Sequence, residues 1–291
     1  MYQSRKYAYD WDDIDEGKGP ETLMEEILKD PELPSLTEIV IGCWGDACDA
    51  DSSAQPLIDA FVGNASHFSG IKSLFIGDME YEDCELSWIE QGDYSGLWKA
   101  MPQLEKLTIK GSSGNFNLGP IEHDGLKELV IISGGLPVRI LKQIAQAKLP
   151  SLEVLKLYLG IDNYGGDAEL TDIEAFLADS DFPKLRYLGL LDSEEEDEIA
   201  KLVLKSKYMK QLDSLDFSYG CLTDKGGQLI CNALSEESGI KNLYIEYHYM
   251  SAKVVRELEG LGEKGIATNI CDAQKADEYD GEIWMNPMYT E

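Results

Sequence analysis

The residue types best suited to chemistry are scattered along this chain, and no spacing among them assembles a reacting centre. Three histidines, His67, His123 and His248, lie in no nucleophile motif, whereas covalent catalysis needs a nucleophile within hydrogen-bond reach of a base. Cys43, Cys48 and Cys84 could offer soft ligands where neighbouring segments meet. The paired four-ligand spacing of a structural zinc site is missing, however, and an isolated cysteine is often just a small buried apolar residue. The acidic loop DNYGGDAE (162–169) sets Tyr164 and Gly166 where a calcium loop needs oxygen ligands. GSSGNFNLG (111–119) follows a strand pattern but lacks the Gly-Lys-Ser/Thr ending of a phosphate loop and reads as a flexible connection. His248, in YHYM, reads as a solvated loop residue. These patterns predict no catalysis, no cofactor and no metal.

The elements that would position such residues are much easier to read. An apolar-x-x-apolar-x-apolar pattern begins at Leu36, Ile71, Leu104, Leu126, Leu152, Leu185, Leu212 and Ile240, at intervals of 22 to 35 residues. Between the copies lie helical periods such as PVRILKQIAQA and SAKVVRELEGL, with apolar residues at three- and four-residue steps. Strand, loop, helix, loop, repeated with parallel strands, predicts an α/β solenoid: a concave parallel sheet of about eight to nine strands with helices on the convex side. The expected organisation is a cap segment with a helix over 1–33, a solenoid of eight irregular repeats over 34–262, and a cap strand around IATNI with an acidic tail over 263–291. Pro137 opens a helix, and Thr171 with Glu174 and Ser193 with Glu196 read as capping boxes. The unit from 104 to 125 has no helical period in its connection and predicts a loop or one 3₁₀ turn there.

Charge and composition exclude several classes of partner. A net charge of -30 and a pI near 4.3 oppose binding to nucleic acid or to an anionic membrane and favour a partner with a basic surface. The first residues, MYQSRKYAYDWDDIDEGKG, contain no apolar signal region, and nowhere do 18 apolar residues run together. A cytoplasmic protein is expected, with its six scattered cysteines reduced.

The stretch LDSLDFSYGCLTDKGGQLICNAL (212–234) carries a family likeness. Leu212, Leu215, Phe217 and Leu222 match the strand pattern, and Gly226, Leu229, Cys231 and Leu234 the helix pattern, of leucine-rich-repeat proteins of the ribonuclease-inhibitor type, which this chain resembles over about residues 20–262. Gly220 departs from that family, which has Asn or Cys at this turn position, while this chain has Cys221 one residue later. The irregular repeat lengths also resemble those of bacterial cytoplasmic repeat proteins. The resemblance implies a horseshoe-shaped fold that binds a protein on its concave strand face.

Strand alternation identifies the residues such a face presents. Phe75, Tyr158, Tyr187, Asp216, Tyr244 and Glu246 fall at outward positions, and Trp44, Tyr219, Tyr247 and Tyr249 in the loops beyond. Aromatic side chains here would supply large contact area at small ordering cost. The expected function is a non-enzymatic protein-interaction module, or alternatively a substrate-recruiting subunit of a ligase or other effector complex. The apolar stretch EIWMNPMYTE (282–291) fits an internal cover for the face or a docking peptide.

Overall fold

The computed structural model describes residues 3–47, 52–235, 238–279 and 281–289. The chain opens with β1 (Ser4–Tyr7), α1 (Trp11–Asp15), α2 (Pro20–Lys29), β2 (Glu38–Ile41), α3 (Gln55–Gly63) and β3 (Ser73–Ile76). Its middle holds β4 (Glu90–Asp93), α4 (Leu97–Ala100), β5 (Lys106–Lys110), β6 (Ser113–Asn117), β7 (Glu128–Ile132), α5 (Val138–Ala145) and β8 (Val154–Gly160). There follow α6 (Leu170–Asp179), β9 (Tyr187–Ser193), α7 (Glu196–Lys205), β10 (Ser214–Asp216) and α8 (Asp224–Ser235). The last elements are β11 (Asn242–His248), α9 (Ala252–Glu259), β12 (Ala267–Ala273) and the hairpin β13 (Asp277–Tyr279) and β14 (Glu282–Trp284).

Ten strands form one sheet in the order β1-β2-β3-β5-β7-β8-β9-β10-β11-β12, with every pair parallel. Each of the eight apolar repeats supplies one of these strands. The register is regular across the sheet: Leu155 lies opposite Leu129 and Leu188, and Leu215 opposite Leu188 and Leu243. Inward strand residues such as Leu107, Leu129, Leu155 and Leu215 are fully buried, in one core with the apolar sides of the helices, including Ile140, Ile144, Ile199 and Ile230. Burying one leucine of this kind contributes about 2 kcal/mol from area alone, which is why the leucine spacing determines the strands.

The two ends of the sheet differ from expectation in one respect. The first 33 residues contribute a strand as well as helices: β1 pairs with β2, Ser4 opposite Glu38. Its sequence, SRKY, hides this, since the edge strand is held by polar contacts. Arg5 pairs with Asp30 and Glu32, and the Tyr7 hydroxyl donates to Asp30 at 2.6 Å. At the other end β12 pairs with β11.

The 111–119 connection is not a flexible loop. Ser113–Asn117 pairs in parallel with β4 as a separate two-stranded sheet, and Phe116 and Leu118 are fully buried. Gly111 makes the turn possible, because its φ is 103° and a β-carbon there would stand 2.6 Å from the Ile89 side chain.

Helix starts also shift from the expected capping pairs. The turn before α6 uses Asp172, which accepts from the Glu169 amide at 3.2 Å, so Thr171 lies inside the helix. Before α7, the Ser193 hydroxyl accepts from the Glu195 amide at 3.1 Å, while Glu196 points into the protein. The acidic loops serve their neighbours: Asp167 accepts from the Val138 amide at 2.6 Å, and Asp197 accepts from the amides of Thr223 and Gly226, both at 2.9 Å. These carboxylates satisfy amides that a helix end leaves unpaired.

Candidate functional site

Strand alternation places a row of half-buried side chains on the sheet face opposite the helices, and over β8 to β11 that row becomes aromatic. Asp216 lies beside Tyr244 in the register of β10 and β11, and Tyr187 stands two residues back on β9. The Tyr187 hydroxyl donates to Asp216, Lys156 Nζ approaches the same carboxylate at 3.3 Å, and that ammonium lies 4.5 Å from the Tyr187 ring centre. Tyr187 and Tyr244 stack at 5.6 Å. Burial, followed by the charge of Asp216, raises the Tyr187 hydroxyl pKa, so it stays a proton donor at physiological pH.

Along the ends of the same strands runs a second cluster. Tyr158 and Tyr219 stack at 5.7 Å with their rings within 16° of parallel, and the edge of Tyr289 enters against both, at 5.4 and 5.0 Å. The Tyr219 hydroxyl donates to Glu246 at 2.9 Å. Tyr247 and Tyr249 both donate their hydroxyls to the Asn286 carbonyl at 2.9 Å. The Met288 amide donates to the Tyr219 carbonyl and the Tyr289 amide to Asp192 Oδ1, each at 2.8 Å. Segment 286–289 therefore lies across the ends of β9, β10 and β11.

Beneath this segment two carboxyls are buried without full partners. Asp192 is fully buried, its Oδ2 has no hydrogen-bond partner among the described residues, and burial pushes its pKa up to about 7. Glu196 is also fully buried, with neither oxygen partnered among the described residues, and burial holds its carboxyl well above the usual range. Gly220 explains the departure from the leucine-rich pattern at this turn. A β-carbon on it would stand 2.3 Å from Glu196 Oε2 and 2.9 Å from the Ser193 backbone.

Of the residues expected on the face, Tyr158, Tyr187, Tyr219, Tyr244, Glu246, Tyr247 and Tyr249 come together, each half-buried. Phe75 is also half-buried, but β3 is three strands from β8, roughly 14 Å at ordinary strand spacing. Asp216 is only 4% exposed, closed over by Lys156 and Tyr187, so a partner cannot reach its carboxylate without moving them. Trp44 is a core residue, fully buried with its indole N–H donating to the Ser52 carbonyl at 3.2 Å. The chain leaves the sheet after Ile41, so strand alternation no longer dictates which way residue 44 points.

His248 is likewise buried rather than solvated, and its Nδ1 accepts from the Met250 amide at 3.1 Å. Tyr247, at φ 59°, interrupts the alternation of β11 and turns His248 inward, where burial lowers its pKa. Leu191, at an outward position, is buried over Gly189 beside Tyr158. Tyr289 lies in the apolar stretch 282–291 expected as an internal cover or docking peptide, and segment 286–289 does lie over these strand ends, whereas Asp192 was not legible as a site residue because a strand end carries no pattern of its own.

The cysteines do not gather as ligands. Cys43 is buried and free, its thiol donating to the Gly45 carbonyl at 3.1 Å, whereas Cys84 is disulfide-bonded, contrary to the expectation of reduced thiols throughout. Cys48 lies outside the described residues. Alkylation of the denatured, unreduced protein is expected to label Cys43, Cys221, Cys231 and Cys271 and to spare Cys84 until reductant is added. Mass spectrometry of the tryptic peptides reads this directly, and labelling of Cys84 without reductant would contradict the pairing. Among the described residues no group of three or more His, Cys, Asp or Glu could hold a metal ion, and no helix is long and apolar enough to cross a membrane. A depression of about 300 Å³ between α6 and α7, lined by residues including Leu177, Leu202, Lys205 and Ser206, sets no nucleophile against a base.

No protein-family model and no curated protein sequence matches the chain. Among solved structures it is similar to a Bacteroides fragilis protein whose crystal structure came from the Northeast Structural Genomics Consortium. The two share 37% sequence identity with a TM-score of 0.84, over 93% of this chain and 75% of that one. The chain belongs to the same family as this protein. Likeness at that identity and coverage extends to the α/β fold with its large parallel sheet, and the name of the B. fragilis relative states no activity.

Proposed function

We propose that the chain is a leucine-rich-repeat solenoid of the ribonuclease-inhibitor type that acts as a non-enzymatic protein-binding module. Its contact surface would be the sheet face over β8 to β11 together with the strand ends beside it. The observation that carries this reading is the clustering of Tyr158, Tyr187, Tyr219 and Tyr244 as half-buried, mutually stacked rings on one side of the sheet. Core packing does not require aromatic residues there, because the leucine side of each strand already supplies the core. Rigid stacked tyrosines, two of them with hydroxyls bound to Asp216 and Glu246, lose little freedom on contact and bring large apolar area. The net charge of -30 supports a partner with a basic surface, by accelerating encounter and excluding acidic competitors.

Affinity capture tests the reading when run side by side with the wild-type chain and a Tyr158→Ala/Tyr187→Ala/Tyr244→Ala variant. The partners held by the wild type are expected to be lost from the variant, while its thermal unfolding stays cooperative. Capture of the same proteins in the same amounts by both chains would rule out the tyrosine face as the contact surface.

A further inference from the structure

The strands that end beneath segment 286–289 do so in a left-handed conformation that two of the three residues concerned, both tyrosines, disfavour. Asp192, Tyr219 and Tyr247 have φ of 60°, 72° and 59°, the left-handed region, which costs a residue with a β-carbon on the order of 1 kcal/mol. Strand ends elsewhere in the sheet use glycine for such a turn: Gly77, Gly111 and Gly160, at φ 98°, 103° and 64°. Asp272, at φ 58° on β12, is the remaining non-glycine case among the described residues; aspartate tolerates the conformation far better than tyrosine, so the strain falls on Tyr219 and Tyr247 rather than on Asp192 or Asp272. The three residues, on β9, just beyond β10 and on β11, each hold the segment. Asp192 accepts from the Tyr289 amide, Tyr219 accepts from the Met288 amide and packs on the Tyr289 ring, and Tyr247 donates to the Asn286 carbonyl. The three left-handed positions thus place one carboxylate, one carbonyl, one hydroxyl and one ring in line along a groove.

What the groove grips is largely generic. It engages three main-chain amides and one main-chain carbonyl of an extended chain, with Tyr289 as the single ring between Tyr158 and Tyr219. The resident segment is held mainly through its main chain and the Tyr289 ring and is only partly covered: Pro287 is buried, Met288 is 46% exposed, and the preceding hairpin leaves Ile283 72% and Trp284 54% exposed. Its electrostatics are also poor, since the groove carries Asp192 and Glu246, its neighbour Lys156 is already engaged by Asp216, and residues 282–291 contain two glutamates and no lysine or arginine.

We propose that this groove is the docking site for an extended, tyrosine-bearing segment of a partner protein with basic flanks, and that segment 286–289 is its resident occupant, displaced when the partner binds. The proposal rests on the binding-module reading and specifies the chemistry of its partner. An occupied groove lowers apparent affinity by the fraction of time it is free.

The test titrates a fluorescently labelled peptide, EIWMNPMYTE, into the full chain and into the full chain carrying Tyr289→Ala, read by anisotropy. The variant is expected to bind at least about tenfold more tightly, as for a groove free about a tenth of the time in the wild type. The same peptide with Glu282→Lys and Glu291→Lys is expected to gain a further factor of about three or more at low ionic strength, a gain that shrinks with added salt. Adding Tyr219→Gly to Tyr289→Ala removes the ring while keeping a backbone that tolerates positive φ, and is expected to abolish peptide binding. Equal binding to wild type and Tyr289→Ala, no binding to either, or binding that survives Tyr219→Gly would each overturn the proposal. So would a wild-type dimer that Tyr289→Ala dissociates, since that assigns the groove to a second copy. Loss of partner capture on changing Tyr158, Tyr187 and Tyr244 without any unmasking of peptide binding rejects the resident occupant and leaves the binding module standing. Unmasking with unchanged capture does the reverse.

Discussion

The unfolding free energy of the chain is expected to fall as pH rises from about 4.5 to 8, and Glu196→Gln is expected to remove a large part of that fall. Glu196 and Asp192 are buried carboxyls whose pKa values are raised by burial, Asp192 to about 7 and Glu196 well above its ordinary value. In the unfolded chain both ionise near pH 4. The folded state therefore binds more protons than the unfolded state above that pH. The stability these groups contribute is fully present below about 4, and is lost as pH rises through the folded values, by up to about 1.4 kcal/mol per pH unit for each group. Asp192, then Asp216 and Asp197, add unfavourable charge near Glu196, and glutamine, a close mimic of the neutral acid, removes the ionisation. Glu105 and Glu198 act in the opposite direction. Hydrogen bonds from Lys127 and Lys72, and from Lys201 and Lys225, hold them to about 2, so their contribution is lost only as pH falls below about 4.5. Urea unfolding at pH 5, 6.5 and 8 measures the effect. A flat wild-type profile, or a variant that tracks the wild type at every pH, would contradict the burial of a protonated Glu196.

Trp44→Ala is expected to destabilise the fold by about 3–5 kcal/mol, the cost of a large cavity in a packed core, while leaving the tyrosine face intact. The side chain is fully buried, packed in the same core as Ile41 and Leu57. Its indole also satisfies the Ser52 carbonyl, which the truncation leaves unpaired. A face residue behaves differently, since replacing Tyr244, which is half-buried on the sheet surface, removes contact area without opening the core. Chemical denaturation of the two variants separates the roles, and a Trp44→Ala chain as stable as the wild type would return Trp44 to the surface.

The strands were legible because one physical rule governs them: a leucine on every second residue, facing one core. That rule located all eight apolar repeats, from Glu38 in β2 to His248 in β11, and the alternation of Val154, Lys156 and Tyr158 against Leu155 and Leu157. It fails where the rule stops applying. Beyond Ile41 the chain is no longer a strand, and Trp44 turns into the core. At Tyr247 a left-handed residue inverts the alternation and buries His248. At Ser4–Tyr7 the edge strand is held by ion pairs and a tyrosine hydroxyl rather than by leucine. In 113–117 one glycine and two asparagines mask a strand whose apolar content is Phe116, with Leu118 just beyond. The site divides along the same line. Its tyrosines on β8, β9 and β11 follow from alternation, whereas the groove depends on strand ends in a left-handed conformation and on a segment some 70 residues beyond Tyr219 in sequence. The apolar stretch 282–291 marks a cover or docking peptide, but no local pattern says which strand ends it lies on.

The most direct test of the central claim, that the tyrosine face and its groove are the binding surface, is the affinity of one captured partner for three chains: wild type, Tyr289→Ala, and Tyr158→Ala/Tyr187→Ala/Tyr244→Ala. Calorimetric titration is expected to give binding to Tyr289→Ala that is tighter than wild type by about tenfold, and no measurable binding to the triple variant. Equal affinity for all three chains would place the partner elsewhere on the molecule and contradict the account.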